Sequence, residues 1–494
     1  MMDRRTLCLG VALVPLLATP AHGGTSCEPD WVAPLRAELQ AMAARLTRNA
    51  RPWSGPSRVY RPESYGYKAG DAFATAAIQA AIEAVAQAGG GTVRLSSGDY
   101  VSGTIVLRSN VRLEVSQGAR LVASTDLHDY PDHIAQRPTV MDSNMGMNQS
   151  LIFAEGCENI SICGRGEIWG RGTPDNFPGA ETSGSTPGRP FMIRVIDCRR
   201  VHIRDIHLRD AACWMQNYLN CEDVLVEGIQ VQNQANHNND GIDLDGCRRV
   251  VMRNCLINAE DDALCFKGAS ERPMEEVLIE DCRLYSTCNA LKFGTDSQGD
   301  FRRVLVRRCE VGGVPADMPA TRRKRSDSGI AWESVDGNTV ENILAQDIRI
   351  VRADSPLFLR LGDRGRVRPE EQRPSPGSIR RIVYERISGD DNGARGSFFT
   401  GLPEHLIEDV ALIDVNLSVS PAQQAPPAEA DIPEKPGDYP DPPMFGPVLP
   451  AHGLWARHVR DLDLIRTRFT LTGADPRPMV VARTDATGVR INAC

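Results

Sequence analysis

The chain contains many short runs in which apolar and polar residues alternate. In residues 241–245, and again in residues 263–267, apolar side chains alternate with polar ones. A period of two is typical of β-strands, whose successive side chains point to opposite faces of a sheet. If the apolar side chains face inward, Asp243 and Lys267 face outward, and Asp240 stands at the entrance to the first strand. Polar residues packed this densely around short apolar strands predict the floor of a site.

The same unit of strand and turn recurs along the chain and is marked by a cysteine. The cysteine occurs in one position of the unit at Cys157, Cys198, Cys221 and Cys247, and in a second position at Cys255, Cys282 and Cys309. The later members of each series are 23 to 27 residues apart. Short strands that repeat with this period, without helices between them, indicate a solenoid of stacked coils. We expect these cysteines to be free thiols that pack inside as small hydrophobic side chains.

Laying the coils over one another predicts which outward side chains are neighbours. Stacked strands lie about 4.8 Å apart, so side chains at equivalent positions of successive coils can act together. The alignment predicts two columns, one of Asp240, Asp262 and Asn289 and the other of Asp243, Cys265 and Lys292. Acidic, amide and basic groups are thereby brought side by side on one outward face.

Two helices and one proline-rich segment interrupt the strand pattern. Residues 27–49 predict a helix that packs on the main body, within an N-terminal extension of residues 24–66. Residues 72–88 predict an amphipathic helix that caps the open end of the solenoid, which itself is expected to occupy residues 67–494. Residues 421–450 contain too many prolines for ladder strands. We interpret them as an extended loop laid over the solenoid, with a flexible linker as the alternative.

Residues 1–23 have the pattern of an export signal. Arg4 and Arg5 precede an apolar run from Leu7 to Ala18, and small residues follow for cleavage. The two arginines also fit a twin-arginine signal. The apolar run is too short to cross a bilayer, so no membrane span is predicted. We therefore expect the protein in the periplasm or secreted from the cell.

Composition and charge narrow the range of partners. The chain has 494 residues and a formal net charge of −8, which argues against nucleic acid as a partner. It has 14 cysteines, and removal of Cys8 with the signal leaves an odd number, with Cys27 and Cys494 as candidates for a disulfide. The basic loop of residues 317–328 is a local exception to the negative charge. Such a loop is usually only solvated, but it would also suit an anionic glycan.

The acids of adjacent coils fit the chemistry of glycoside hydrolysis. That reaction needs one protonated carboxylic acid to release the leaving oxygen and one carboxylate to activate water. Neighbouring carboxyl groups repel one another, which raises at least one pKa into a useful range, and a nearby lysine keeps the others ionised. The candidates are Asp240, Asp261 and Asp262. Acids on adjacent coils would be closer together than is usual for an inverting reaction, which leaves the stereochemistry open at this point.

These residues resemble the catalytic motifs of the polygalacturonase family, glycoside hydrolase family 28, in a divergent bacterial form. The resemblance covers about residues 67–419 and implies a right-handed parallel β-helix. The Asn-Thr-Asp motif of the family matches Asn238-Asn239-Asp240, and its Asp-Asp motif matches Asp261-Asp262, 21 residues later. By this resemblance Asp261 is the general acid, while Asp240 and Asp262 hold the attacking water.

Two further motifs of the family are altered in this chain. Its Gly-His-Gly motif falls on residues 288–290, where Asn289 replaces the histidine and is equally a candidate for an internal asparagine ladder. Its Arg-Ile-Lys motif falls on residues 358–360, or alternatively on residues 360–362, and retains one cation, Arg360. An arginine on an outer strand also commonly forms a salt bridge. The predicted substrate-binding residues are Asn238, Asp243, Lys267, Asn289, Lys292 and Arg360.

The leading hypothesis is an exported, monomeric glycoside hydrolase that cleaves pectic or other uronate-containing glycans without a metal or cofactor. The resemblance to the family implies that the reaction inverts the configuration at the anomeric carbon of the sugar. One alternative is a β-helix polysaccharide lyase, with Lys292 as the base and a Ca²⁺ ion bound by Asp240, Asp243, Asp261 and Asp262. The other is a glycan-binding solenoid without catalysis, which the missing histidine favours and the three retained acids disfavour.

Overall fold

The computed structural model describes residues 27–139, 148–179, 188–368, 370–424, 426–427, 430–483 and 485–492. The predicted export signal, residues 1–23, lies outside the described residues, as do Cys8 and Cys494. Among the residues described, no helix is long and apolar enough to cross a membrane.

The described strands form two parallel sheets that run side by side along the whole molecule. The twelve-stranded sheet consists of Ile105–Val106, Ser150–Glu155, Phe191–Ile196, Gln216–Leu219, Ile242–Asp245, Leu264–Gly268, Asn289–Ser297, Ser326–Ser334, Ala353–Leu361, Ser397–Thr400, Leu454–Arg457 and Val480–Ala482. The 23-stranded sheet consists of Val59–Tyr60, Gly91–Leu95, Gly98–Ser102, Val111–Val115, Ala119–Ala123, Glu158–Cys163, Glu167–Trp169, Arg199–Arg204, His207–Arg209, Glu222–Glu227, Gln230–Asn233, Arg248–Arg253, Leu256–Ala259, Met274–Glu280, Arg283–Ser286, Phe301–Gly312, Thr339–Val351, Ser378–Asn392, Ile407–Ile413, Asn416–Val419, Val459–Ile465, Arg468–Leu471 and Arg490–Asn492. The chain crosses from one sheet to the other in every coil, so the predicted right-handed parallel β-helix is confirmed.

Two α-helices cover surfaces of the solenoid. The helix Thr75–Gln87 packs its apolar face against the first strands and caps that end, as predicted, although it begins three residues later than expected. The helix Val32–Asn49 lies along the outside of the 23-stranded sheet and buries its leucines against outward-facing apolar residues of that sheet. Three short 3₁₀ helices occur at Pro62–Tyr65, Leu127–Asp129 and Pro442–Phe445.

The cysteines of the repeat are buried and free, which confirms the predicted ladder of thiols. All seven residues of the two series belong to this group. The amide of Cys157 donates to the sulfur of Cys198 at 3.3 Å, in keeping with stacking in adjacent coils. Cys27, outside the ladder, is disulfide-bonded.

The strand register confirms the predicted outward column of Asp243, Cys265 and Lys292. Asp243 pairs with Cys265, and Cys265 pairs with Lys292 in the next coil. Alternate side chains of the same strands face the interior, where aromatic rings stack from coil to coil. The centroid distances are 4.8 Å for Phe266 with Phe293 and 5.2 Å for Phe293 with Trp332. This continuous stack gives the outward face a rigid floor.

The proline-rich segment is laid over the outside of the twelve-stranded sheet. We call residues 430–446 the strap. Phe445 of the strap packs in an apolar cluster with Phe398 and Trp455 of the sheet beneath it. The amide of Asp363 donates to the carbonyl of Pro436 at 2.7 Å. Residues 430–446 thus form an extended loop that packs on the sheet, whereas residues 425, 428 and 429 of the predicted segment lie outside the described residues.

Candidate active site

The three predicted catalytic acids lie at the turns that lead into neighbouring strands of the twelve-stranded sheet. Asp240 precedes Ile242–Asp245, and the pair Asp261-Asp262 precedes Leu264–Gly268. The amide of Gly241 donates to the carbonyl of Asp262 at 2.9 Å, which ties the two turns together. The next coil joins in the same way, because the amide of Ala263 donates to the carbonyl of Asn289 at 3.0 Å.

The middle residue of the first motif, Asn239, holds the turn that presents Asp240. Its side-chain oxygen accepts hydrogen bonds from the amides of Ala235 and Asn236 at 3.0 and 2.6 Å. Its amide group donates to two carbonyls of the preceding coil. Asn238 has a left-handed backbone, with φ of 53°, and is half-buried beside this turn. The motif therefore fixes the backbone as well as supplying an acid.

A buried lysine bridges two acids of the first coil. The Nζ atom of Lys267 lies 3.5 Å from an Asp240 oxygen and 3.4 Å from an Asp243 oxygen. The same ammonium lies 4.3 Å from the ring centroid of Trp214. The side chain of Asp243 has no exposed surface, which corrects the prediction that it contacts substrate. Its place is beneath the groove floor, as a partner of Lys267.

A second buried lysine serves Asp262. The Nζ atom of Lys292 lies 3.3 Å from one oxygen of Asp262, and the Asn289 amide donates to the other at 2.9 Å. Ser328 in the following coil donates to the oxygen of Asn289 at 2.7 Å. Asn289 is fully buried, which corrects its prediction as a substrate ligand. It instead orients Asp262 and continues the hydrogen-bonded column into the next coil.

The surroundings of Asp261 and Asp262 drive their pKa values apart. Burial and the neighbouring carboxylate of Asp262 raise the pKa of Asp261. Burial also acts to raise the pKa of Asp262, but Lys292, Lys267 and the Asn289 amide outweigh it and hold that pKa below its ordinary value. Asp261 is half-buried, whereas Asp262 exposes only 3% of its surface. The pair thus offers an accessible carboxylic acid beside a carboxylate.

Asp240 and Asp243 form a second pair of coupled carboxyl groups. Burial and the proximity of Asp243 raise the pKa of Asp240 well above its ordinary value, with Lys267 opposing them. Burial raises the pKa of Asp243 to about 7, again against Lys267. The pair therefore retains a proton near neutral pH, and that proton belongs to both residues.

Arg360 does not reach the groove, which corrects its prediction as a substrate-binding residue. Its side chain is fully buried beneath the strap and donates to the carbonyls of Glu434 and Lys435 at 3.1 and 3.0 Å. It also donates to the hydroxyl of Thr400 at 3.2 Å and lies over the ring of Phe445. Arg360 therefore anchors the strap to the sheet.

We expect Arg360→Ala to loosen the strap. The change removes charge-assisted hydrogen bonds from a buried guanidinium to two carbonyls of the strap, so the free energy of unfolding should fall by about 2–4 kcal/mol. Denaturant unfolding and limited proteolysis within residues 430–446 measure the effect. The exposed Arg349, which forms surface ion pairs, is the matched control, and Arg349→Ala should change stability by less than about 1 kcal/mol. Unchanged stability in Arg360→Ala would contradict the anchoring role.

Three residues near Lys292 were not identified from the sequence. Tyr439 and Asp441 come from the strap, and Glu333 comes from the strand Ser326–Ser334. Glu333 lies at an outward position in the alternating pattern of that strand, and this pattern could have identified it as a candidate residue of the site. The strap carries no strand pattern, so sequence alone does not say which part of the sheet it covers.

One group of side chains near the acids has metal-ligand geometry. Carboxylate oxygens of Asp261 and Asp262 and the sulfur of Cys288 lie within 4.8 Å of one another. Calcium prefers six to eight oxygen ligands, so a donor set with a thiol does not fit the Ca²⁺ cluster that a lyase would need.

Part of this chain is similar in sequence to one known family of proteins. The model described as Glycosyl hydrolases family 28 matches residues 101–297, which include both acid motifs. A probable polygalacturonase of Vitis vinifera is 24% identical over 231 residues, which are 44% of this chain and 46% of that protein. A probable exopolygalacturonase B of Aspergillus flavus is 23% identical over 292 residues, 55% of this chain and 64% of that protein. The chain thus spans about half to two thirds of the length of these relatives.

The fold is also shared with a solved structure. The crystal structure of a hyperthermoactive exopolygalacturonase from Thermotoga maritima aligns with a TM-score of 0.67 at 17% identity, covering 88% of this chain and 96% of that chain. The predicted resemblance to the polygalacturonase family is confirmed, and glycoside hydrolase is the class of the matched family.

Proposed function

Starting from the match of residues 101–297 to glycosyl hydrolases family 28, we propose that this protein hydrolyses glycosidic bonds in a pectic, uronate-containing glycan. The half-buried Asp261, whose pKa is raised, lies beside Asp262, whose pKa is lowered, and this pairing is the main support for hydrolysis. Hydrolysis needs one group in each of these states at the same pH. The names of the polygalacturonase relatives support the class of substrate.

In the proposed reaction each acid has a separate role. Protonated Asp261 gives its proton to the glycosidic oxygen as the bond to the sugar carbon breaks. Asp262 accepts a proton from the attacking water, whose oxygen forms the new bond to that carbon. Asp240 holds this water by a hydrogen bond, and Lys267 fixes Asp240 in place at 3.5 Å. We propose inversion at the sugar carbon, because water attacks directly and no enzyme-bound sugar forms.

Two hydrogen-bond donors near Asp261 suit a substrate that carries carboxylates. Arg322, on the predicted basic loop, forms an ion pair with the buried Glu260, the residue just before Asp261. His237 lies 3.8 Å from the same carboxylate. Both the arginine and the histidine are partly exposed, at 43% and 32% of their side chains. The N–H groups of the arginine and of the histidine can donate hydrogen bonds to a uronate beside the acids.

A lyase mechanism has less support from the same residues. Although burial acts to lower it, Asp262 and the neighbouring acids hold the pKa of Lys292 well above its ordinary value. Lys292 is thus an ammonium ion with no lone pair to accept the sugar proton, as a lyase base must. Export to the periplasm or medium, and action as a monomer, remain part of the proposal and rest on the sequence alone.

A screen of purified protein against defined saccharides tests this function. The panel contains oligogalacturonates, rhamnogalacturonan oligosaccharides and neutral aryl glycosides. The expected result is new reducing ends from pectic members, with the opposite anomer formed first in a proton NMR time course. If new reducing ends appeared only with neutral glycosides, the proposed uronate-containing substrate would be wrong. If the first product kept the anomeric configuration of the substrate, the proposed inversion would be wrong.

A further inference from the structure

A cavity lies on the outer face of the 23-stranded sheet, at the point where the helix Val32–Asn49 ends. The end of the helix and residues 50 and 51 form one side of it, and the strands Arg199–Arg204, Glu222–Glu227 and Arg248–Arg253 form the other. The cavity has a volume of about 230 Å³ and shares no residue with the acid site. We call it the helix-end cavity. It is a separate place at which a ligand can bind.

The floor of the helix-end cavity is apolar. Leu46 of the helix and Leu225 and Val251 of the sheet line it, and each belongs to the apolar cluster that holds the helix on the sheet. Ala50 packs against the same cluster and contributes only a methyl group. Because this side chain is small, space remains between the end of the helix and the strands, above the apolar floor.

The charged residues around this floor are four arginines and one aspartate, namely Arg45, Arg51, Arg200, Arg249 and Asp223. The aspartate is neutralised by its neighbour, because Arg249 donates to its two oxygens at 2.6 and 3.0 Å. Arg45 donates to Glu276 at 2.8 Å, which ties the helix to the sheet. The whole chain has a formal net charge of −8, so this excess of arginines is a local reversal of sign.

Two of the arginines can turn to a ligand at little cost. Arg51 is exposed and has no ion pair within the part of the chain that the structure describes. Arg200 has one ion pair, at 3.2 Å to Glu158, in which the two side chains are 47% and 58% exposed. A surface ion pair of this kind contributes little to stability, so the carboxylate of a ligand can replace Glu158.

We propose that the helix-end cavity binds one uronate unit of a pectic chain, as a second glycan site on a different face of the solenoid from the acids. The class of ligand rests on the proposed function. The sugar carboxylate accepts hydrogen bonds from Arg51 and Arg200, because a guanidinium group is suited to paired contacts with a carboxylate. The C–H face of the sugar ring lies on the apolar floor, and the side chain of Asn49 exchanges hydrogen bonds with its hydroxyl groups.

The size of the cavity limits the site to a short part of the glycan. Pockets for drug-sized ligands have volumes of roughly 300–1,000 Å³. A cavity of about 230 Å³ therefore suits a single sugar unit, whose neighbours extend into solvent. Binding there holds a polymer to the enzyme, which raises the effective concentration of its other glycosidic bonds at the acids.

Calorimetric titration of Asp261→Asn with trigalacturonate tests the site. Two molecules should bind per chain, one in the groove and one in the helix-end cavity. Adding Arg51→Ala and Arg200→Ala should weaken the second event at least about tenfold, because its charge-assisted hydrogen bonds are lost. Adding Ala50→Phe instead should abolish that event with every arginine in place, because the ring fills the cavity. The control is Arg48→Ala, which removes an exposed arginine of the same helix end that does not line the cavity, and it should leave both events unchanged.

The same titrations separate this site from the proposed function. If wild type hydrolyses no pectic glycan, and Asp261→Asn binds one trigalacturonate that Ala50→Phe abolishes, the hydrolase proposal fails and the helix-end site stands. No binding at the cavity, or binding that either Ala50→Phe or the double arginine variant leaves unchanged, would overturn the site. An equal loss in Arg48→Ala, or equally tight binding of the trimethyl ester of trigalacturonate at the cavity, would overturn it as well, since neither result requires a carboxylate bound there.

Discussion

Asp261→Asn is expected to remove nearly all hydrolysis of the natural glycan while the fold survives. The amide cannot donate the proton that the leaving oxygen needs, and general acid catalysis contributes about 10²–10⁴-fold to the rate. The loss should be much smaller with a nitrophenyl glycoside of the same sugar, because its leaving group departs without protonation. Steady-state kinetics on both substrates measures the difference.

In wild type, activity should decline as pH rises through the raised pKa of Asp261, and this alkaline decline should be weakened in the variant on the nitrophenyl substrate.

The control for Asp261→Asn is the same substitution at an exposed site. Asp205 lies at a turn of the 23-stranded sheet with 53% of its side chain exposed, and Asp205→Asn should leave both activities unchanged. Asp262→Asn should reduce both activities alike, because both reactions need activated water. Equal damage by Asp261→Asn and Asp262→Asn on both substrates would contradict the assignment of roles.

Lys292→Met is expected to destabilise the fold and to disable Asp262. The change leaves a buried carboxylate without its cation, and breaking a buried ion pair costs about 3–5 kcal/mol. Without Lys292, burial prevails and the pKa of Asp262 rises, so the acid side of the pH–activity profile should move to higher pH. The free energy of unfolding and the pH dependence of kcat/KM measure the two effects.

The pH dependence of the Lys292→Met effect has a definite sign. In wild type the lowered pKa of Asp262 contributes stability above the unfolded pKa of about 4, and that stability is lost as pH falls. The destabilisation by Lys292→Met should therefore be larger at neutral pH than near pH 4. The exposed Lys68 supplies the control, and Lys68→Met should change neither stability nor the pH profile. An unshifted acid limb in Lys292→Met would contradict the role of Lys292.

The fold and the acid columns follow from sequence because the same short pattern recurs in successive coils, although the coils differ in length. A period of one coil forces Asp243, Cys265 and Lys292 into one column, and the strand register has this order. The thiol ladder follows for the same reason, since each cysteine recurs at one place in its unit. Such regularities depend on neighbouring coils, which are close in sequence as well as in space.

The sequence is a weaker guide to which individual side chains can contact the substrate. Arg360 appears as an outward cation on a strand, but the strap, more than 70 residues later in the chain, buries it. Asp243 and Asn289 also alternate outward, yet they are covered by Lys267 and by the neighbouring column of polar residues. Neither a distant loop that covers Arg360 nor neighbouring side chains that cover Asp243 and Asn289 leave a periodic signal. Alternation alone therefore overestimates the number of side chains that contact substrate.

Hydrolysis by Asp261 and Asp262 is tested by following the oxygen of the attacking water into the product. Purified protein is incubated with pectic oligosaccharides in water enriched in a heavy oxygen isotope, and the masses of the products are measured by mass spectrometry. We expect saturated products that carry one labelled oxygen at the new reducing end, formed by wild type and not by Asp262→Asn. Unlabelled products with an unsaturated sugar end, or no products at all, would contradict this expectation.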